Sequence, residues 1–393
     1  MTDHRPGLLF VVNSLGIGGA EKQVVTLLNR LDTQRFRLHL AYLKHGEALL
    51  PQLDTSRLDE LLCCDAQRRV DRAALARLRE LAARRNIDAI ICTNAYAMLY
   101  GWLARAALPS RPALVTVFHT TLLKGYKEKL QMLVYSSLFK RCDLLIYVCE
   151  NQRRYWQGQG LRHATDAVVH NGIDVEHFND RREAGESQEV RATFGFGAAD
   201  YVVGLCSALR PEKAHSDLLQ VLARMRAQGI PVKALFIGDG PERSRIEAGI
   251  DALGLGGEVR ITGLQQDVRP LIACCDVMAL VSHSVETFSL AALESMSMGK
   301  ALVMSDIGGA SEQVLHGLNG FLFEPGDLDS LQRHLTSLRS QALRDQMGTC
   351  GAQRVRRLFT VDSMTSGFEN RLDELLAREK SSSHDWNMST LHK

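Results

Sequence analysis

Short apolar runs rich in β-branched residues recur along this chain and alternate with longer stretches whose apolar positions follow a helical period. That alternation narrows the architecture sharply. A strand apolar at every position is buried on both faces, and parallel neighbours need a crossover helix between them. The first such unit is "LLFVV" (Leu8 to Val12), a glycine loop, then Val24, Val25, Leu27, Leu28 and Leu31 at helical spacing. "LHLAYL", "AIICT", "ALVTVFH", "LLIYVC" and "AVVH" continue the series, separated by stretches such as "DRAALARLRELAARRN". "NDRREAGESQEVRATFG" is polar and aperiodic and reads as a surface connection. A second series follows it: "YVVGLCSAL", "VKALFIGDG", "EVRITG", "DVMALVS", "KALVMSD" and "GFLFEPGD". The expected class is α/β, with two Rossmann-like doubly wound domains at 1–175 and 176–360. A C-terminal helix over 361–380, crossing back to the first domain, and a flexible tail over 381–393 complete the expectation.

Composition agrees and excludes some functions. The 393 residues exceed one ordinary core, and 45% hydrophobic with 23% charged residues describes a soluble globular chain. A formal charge of +2 argues against a surface built throughout to grip nucleic acid. No apolar run approaches the roughly 18 residues of a membrane span, and "MTDHRPGLLFVVNSLG" carries no convincing signal-peptide cleavage site, so a cytoplasmic protein is expected. Nine cysteines without a C-x-x-C pair suit buried small hydrophobes in a reducing compartment, rather than a zinc site or disulfides.

Several loops carry candidate chemistry. In "NSLGIGGAEKQ", Gly16, Gly18 and Gly19 sit where a strand turns into a helix, so backbone could approach a ligand and a helix N-terminus could face an anion. Position 21 is Glu21, so the dinucleotide fingerprint G-x-G-x-x-G fails, and a tight turn alone explains the glycines equally well. "IGDGPERSRIE" is a second glycine loop, with Gly238 and Asp239 before Pro241 in the first helical turn. "SALRPEKAHSDLL" puts Arg210 and Lys213 where two cations could clamp a pyrophosphate or simply be solvated. In "VSHSVETFSLAALESMSMG", Glu286 falls in a loop and Glu294 in a helix ended by Gly299. With Ser289 at the helix start, the amides of Phe288, Ser289 and Leu290 form a candidate phosphate site between two carboxylates, although a carboxylate there could equally be a capping charge.

"ETFSLAALE" has the E-x7-E form of the retaining nucleotide-sugar glycosyltransferases of family GT4, and the chain resembles that family from residue 8 to about 375. The other pieces stand in the family's order: "GGAE", His119 in "VTVFHTT", "NGID", "RPEK", "GDGPE", "TGLQQDV", "SDIGGASEQV" and "GLNGFLFEPGD". The resemblance implies a GT-B fold, two Rossmann-like domains facing across a cleft, with the acceptor on the first and the nucleotide-sugar donor on the second. It implies that Glu286 contacts the donor sugar and Glu294 the ribose hydroxyls. Gly18, Gly19 and the amides of Phe288 to Leu290, with Arg210 and Lys213, would hold the pyrophosphate, and His119 would lie near the transferred sugar. No metal and no further cofactor is implied, and the expected donor is a UDP-sugar carrying a hexose-type unit. The sequence departs from the family at Ala208, where R-x4-K would place arginine, and at Thr287, where glycine is frequent. A GT-B epimerase, or a silent GT-B binding subunit, stays open as an alternative.

Two stretches are strongly basic. Between Gln67 and Arg85 seven arginines face only Asp71 and Glu80, and between Lys124 and Arg141 five basic residues face only Glu128. "LLKGYKEKLQMLVYSSLFKR" adds apolar residues to that charge, which suits either a packed helix with a solvated face or peripheral contact with an anionic membrane. Because lipid-linked acceptors are frequent in the resembled family, the expected partner is a glycan or lipid-linked acceptor of the bacterial cell envelope, and no nucleic acid.

Overall fold

A computed structural model describes residues 5–120, 132, 135–179, 184–284 and 286–390. The chain forms two compact units, Met1–Gly172 with Val361–Lys393, and Ile173–Thr360. It passes from the first to the second once and returns once.

Unit 1 is built on a parallel sheet of seven strands: β1 (Gly7–Val12), β2 (Arg37–Tyr42), β3 (Glu60–Cys63), β4 (Ile87–Thr93), β5 (Ala113–Phe118), β6 (Leu144–Tyr147) and β7 (Asp166–Val168). Their order is β3-β2-β1-β4-β5-β6-β7. Every residue of β1 and β5 is buried, as the uninterrupted apolar runs require of central strands. The helix Arg72–Arg84 turns Leu75, Leu78 and Leu81 into the core and starts where the Asp71 carboxylate accepts from the Ala73 and Ala74 amides.

Unit 2 repeats the plan with six parallel strands: β8 (Val202–Cys206), β9 (Lys233–Ile237), β10 (Val259–Ile261), β11 (Val277–Leu280), β12 (Ala301–Ser305) and β13 (Gly320–Phe323), in the order β10-β9-β8-β11-β12-β13. In each sheet the order reverses direction once, after β1 in unit 1 and after β8 in unit 2. The loops leaving β1 and β4, and those leaving β8 and β11, therefore flank the crevice where open α/β sheets take ligands.

The structure departs from the sequence reading in three places. Strand β3 was not foreseen: it is a half-buried edge strand of four residues, too short for a clear period. The supposed connection contains the helix Ala184–Thr193, which belongs to unit 2. A polar anchor holds it instead of an apolar stripe: Arg191 donates to the Cys274 carbonyl (2.7 Å) and pairs with Asp276 (2.9 Å). The last helix, Val361–Thr390, runs on through the stretch expected as a flexible tail, because no glycine or proline interrupts it after Gly367. Its Glu369 accepts from the Asp32 amide (2.9 Å) and pairs with Arg35 (2.6 Å).

The basic apolar stretch from Leu122 lies mostly outside the described residues, 121–131, 133 and 134 being among those omitted. Among the described residues no helix is long and apolar enough to cross a membrane. The nine cysteines are free thiols, six of them buried.

Candidate functional site

At the switch point of unit 2, the loop after β8 tightens into a 3-10 turn, Pro211–Lys213, and enters the helix His215–Ala227 through Ala214 in the left-handed conformation (φ 49°). That turn aims Lys213 at the loop after β11, where its Nζ lies 2.5 Å from Glu286 Oε2. Ser282 Oγ donates to the same oxygen at 3.3 Å. The loops are also joined by the His283 amide, which donates to the Glu212 carbonyl (2.9 Å), and by the His283 ring against Asp217 (2.6 Å). Beneath Lys213, burial first and the lysine charge second push the His215 imidazole down to about 4. Arg210 is exposed in the same turn, its carbonyl accepting from the Lys213 amide at 3.0 Å.

Glu286 is held by close backbone packing. Gly308 lies in the left-handed region (φ 58°), and a Cβ there would come within 1.9 Å of the Glu286 carbonyl oxygen. The Gly309 amide donates to the Thr287 carbonyl at 2.7 Å. The loop after β12 thus presses on the loop after β11 at a distance only glycine permits.

The helix Leu290–Ser297 begins at Ser289, whose hydroxyl accepts from the Ala292 amide (3.3 Å). One expectation needs correcting. The Ser289 amide is not open to a phosphate, because the buried Gln313 side chain accepts from it (3.1 Å) and donates to the Ser289 carbonyl (2.8 Å). Phe288 is buried edge-on against Phe359, 5.2 Å between ring centres. Leu290 and Ala291, the first residues of the helix, are half-buried, and no described residue accepts from the amide of either. Glu294 is buried within that helix.

Gly238 and Asp239 occupy the loop after β9. A Cβ on Gly238 would meet the Ser207 carbonyl oxygen at 2.2 Å, so glycine is required there by packing (φ 144°). Asp239 is committed locally, accepting from the Gly240 amide (2.7 Å) and from Arg243 (3.1 Å), which gives it a loop-forming role.

In unit 1 the corresponding switch point holds a cavity of about 570 Å³ lined by Asn13, Glu21, Lys44, Gln67, Arg68, Arg69, Thr93, Asn94 and Tyr96. Asn94 has a positive φ of 65°, a conformation asparagine tolerates, and its side-chain oxygen accepts from the His119 amide at 2.9 Å. Burial pushes the His119 imidazole down to about 4, so it is neutral at pH 7. Gly18 is the extended N-cap (φ −162°) of the helix Gly19–Leu28; a Cβ on Gly18 would meet the Glu21 carboxylate at 2.2 Å, whereas one on Gly19 would meet nothing within 4 Å. Backbone strain therefore does not explain these two glycines.

Within unit 2 the structure brings together Lys213, Glu286 and the start of the helix carrying Glu294; within unit 1 it ties the His119 backbone amide to Asn94 of the cavity wall, His119 itself not lining the cavity. Sequence reasoning missed Gln313, Asp217, His283, Thr93, Asn94 and Lys44. Each becomes visible only when distant loops meet at a switch point, although the arginine run had already flagged Arg68 and Arg69. One surface group, His45, Glu47 and Cys63, has the ligand types and spacing to hold a metal ion. There His45 Nδ1 lies 3.7 Å from Glu47, and its Nε2 pairs with Asp65 at 3.0 Å.

Two parallel Rossmann-like sheets, each with its polar site at the switch point, define the GT-B fold. The structure of Anabaena HepE in complex with UDP-glucose shares it, with a TM-score of 0.82, 24% identity, and coverage of 94% of this chain and 99% of that one. Residues 186–354 match the family described as Glycosyl transferases group 1, and residues 17–177 match Glycosyltransferase Family 4. The chain belongs to the GT4-type glycosyltransferases. It is 25% identical over 316 residues to N-acetyl-alpha-D-glucosaminyl L-malate synthase of Bacillus anthracis, covering 79% of this chain and 81% of that protein. It is also 27% identical over 157 residues to the lipopolysaccharide core biosynthesis glycosyltransferase LpsE of Rhizobium meliloti, covering 40% and 45%.

Proposed function

We propose that this glycosyltransferase moves a hexose-type sugar from a nucleotide diphosphate sugar, a UDP-sugar, to a glycan or lipid-linked acceptor of the bacterial cell envelope, with retention at the anomeric carbon. The observation that carries the reading is the Lys213–Glu286 pair, 2.5 Å apart, at the loop that leads into the helix carrying Glu294, whose Leu290 and Ala291 amides have no acceptor among the described residues. A carboxylate suits sugar hydroxyls, while an ammonium and a helix N-terminus suit a diphosphate. In this proposal the donor enters the existing ion pair, Glu286 turning to the sugar and Lys213 to the phosphate. The UDP-bound structure of the similar Anabaena protein and the envelope role named for the Rhizobium relative support the donor and the acceptor class.

In the reaction the bond from the anomeric carbon to the β-phosphate oxygen breaks, and its electron pair leaves with the nucleotide diphosphate. Lys213, Arg210 and the Leu290 and Ala291 amides stabilise that charge. The acceptor hydroxyl oxygen bonds to the anomeric carbon from the same face, and its proton passes to the departing phosphate oxygen. Glu294 holds the ribose. Gly19 leaves room for the donor's phosphates or sugar to approach backbone, Gly18 doing so once the Glu21 carboxylate turns away, and His119, neutral, offers a hydrogen bond to the transferred sugar. The first unit takes the acceptor.

The test is incubation of the purified chain with radiolabelled UDP-glucose, UDP-N-acetylglucosamine, GDP-mannose and ADP-glucose in the presence of a bacterial lipid and glycan extract. Label should move from a UDP-sugar into the extract, and proton NMR of the product should show the donor's anomeric configuration. Inverted product, or free UDP with an altered sugar formed without any acceptor, would overturn the proposal.

A further inference from the structure

The cavity of unit 1 carries charge that no carboxylate of the arginine run neutralises. Four of the seven arginines between Gln67 and Arg85 are occupied within the unit. Arg77 donates to the Cys64 carbonyl (2.7 Å), Arg79 to the Leu103 carbonyl (2.9 Å), and Arg84 and Arg85 grip the Glu60 carboxylate (2.6 and 2.7 Å). Arg72 is exposed on the helix they share. Arg68 and Arg69, exposed like Arg72, line the cavity, together with exposed Lys44 from the loop after β2.

Aromatic neighbours hold these side chains. The Lys44 ammonium lies over the Tyr96 ring, 5.1 Å from its centre, and Arg69 donates to the Tyr135 hydroxyl at 3.4 Å. The Tyr96 hydroxyl donates to the Arg68 carbonyl at 3.3 Å, which fixes the start of the arginine pair. Glu21 is the one carboxylate among the lining residues, so three cations face a single acid. Thr93 lines the same space, is only 5% exposed, and its hydroxyl has no hydrogen-bond partner among the described residues. Three exposed cations around one concavity raise the local concentration of anions there, and the buried Thr93 hydroxyl without a partner costs free energy that a bound anion could relieve. The volume, about 570 Å³, is that of a small-ligand site.

We propose that this cavity is the anion-recognition part of the acceptor site: it takes a phosphate or carboxylate carried by the acceptor. Arg68, Arg69 and Lys44 supply the charge, and Thr93 and Gln67 supply hydrogen bonds. Asn94, shared between the cavity wall and the His119 amide, sets the anion beside the residue proposed to meet the transferred sugar. The inference rests on reading the protein as a glycosyltransferase whose first unit takes the acceptor. It adds the acceptor's chemistry: a molecule with a fixed negative charge near the hydroxyl that is glycosylated.

Binding is measured on the full chain saturated with UDP, so that the nucleotide site is filled. The probes are glycerol 3-phosphate and succinate as soluble anions, glycerol as the neutral counterpart, and phosphatidylglycerol vesicles as a lipid-borne phosphate. One soluble anion should bind per chain, glycerol should not, and binding should weaken as salt rises. The double variant Arg68→Ala/Arg69→Ala should lose at least tenfold in anion affinity, whereas Arg72→Ala, the same charge change outside the cavity, should lose none. Far-UV circular dichroism and a urea transition of unchanged cooperativity check that the variants are folded, since unit 1 carries the substitutions. Vesicle binding with the same dependence on Arg68 and Arg69 would support a lipid-borne source. Anion binding equal in the double variant and wild type, or absent from a chain that binds UDP, overturns the proposal, as does binding to vesicles alone, which would locate the charge on a membrane surface. A chain that binds no nucleotide sugar would instead bring down the transferase reading and this inference with it.

Discussion

Lys213 and Glu286 neutralise each other at 2.5 Å in a setting where both are largely shielded from water. Removing either charge leaves the other without its partner and, in the proposed mechanism, without its ligand contact. Glu286→Gln and Lys213→Met are each expected to lower kcat/KM for sugar transfer by roughly a hundredfold, the scale seen when one stabilising contact to a transition state is deleted. The double variant should fall by much less than the product of the two, because the residues act as a unit. If Glu286→Gln retained wild-type turnover, its assignment to the donor sugar would be wrong.

The same scale holds a pH effect. His119 and His215 are both pushed down to about 4, so the folded chain keeps them neutral where the unfolded chain, near 6.5, already binds protons. Their contribution to stability is complete above pH 6.5 and is lost as pH falls toward 4, with a slope of up to about 1.4 kcal/mol per pH unit for each histidine. Urea unfolding across that window should show the decline. His215→Gln should flatten it by about one proton's worth, whatever it does to absolute stability.

At the scale of elements, the position of Glu286 depends on contacts outside its own loop. Gln313 satisfies both the amide and the carbonyl of buried Ser289, so Gln313→Ala should cost about 1–3 kcal/mol, the penalty for stranded buried polar groups. Gly308→Ala should cost more than about 1 kcal/mol, since the new methyl group meets both a positive φ and the Glu286 carbonyl. Urea midpoints measure both losses, and both variants should also raise KM for the donor. The E-x7-E spacing and the strand series were legible because each is written in consecutive residues. Gln313, arriving from the loop after β12, was not, since its role exists only once two loops pack. Strand β3 escaped because an edge strand needs no continuous apolar run. The helix Ala184–Thr193 escaped because Arg191 fastens it through hydrogen bonds, which leave no periodic trace.

For the whole molecule, the two units have separate cores and two chain passages, at Gly172/Ile173 and Thr360/Val361. UDP at a hundred times its dissociation constant should stabilise the protein that binds it by roughly 2.7 kcal/mol. Hydrogen exchange should show that protection concentrated within residues 173–360, and protection confined to unit 1 would contradict the proposed division of labour. The two passages also adjoin: Ile173 pairs with Thr360 as a parallel bridge, and its amide donates to the Phe359 carbonyl at 2.9 Å. Unit 2 is therefore, in genetic terms, an insertion whose ends meet. A gene fragment encoding residues 173–360 should yield a cooperatively folding nucleotide-binding protein, and the remainder could be resealed by a short linker from Gly172 to Val361. Donor and acceptor specificities could then be exchanged between relatives as cassettes, by cutting at a single pair of neighbouring positions.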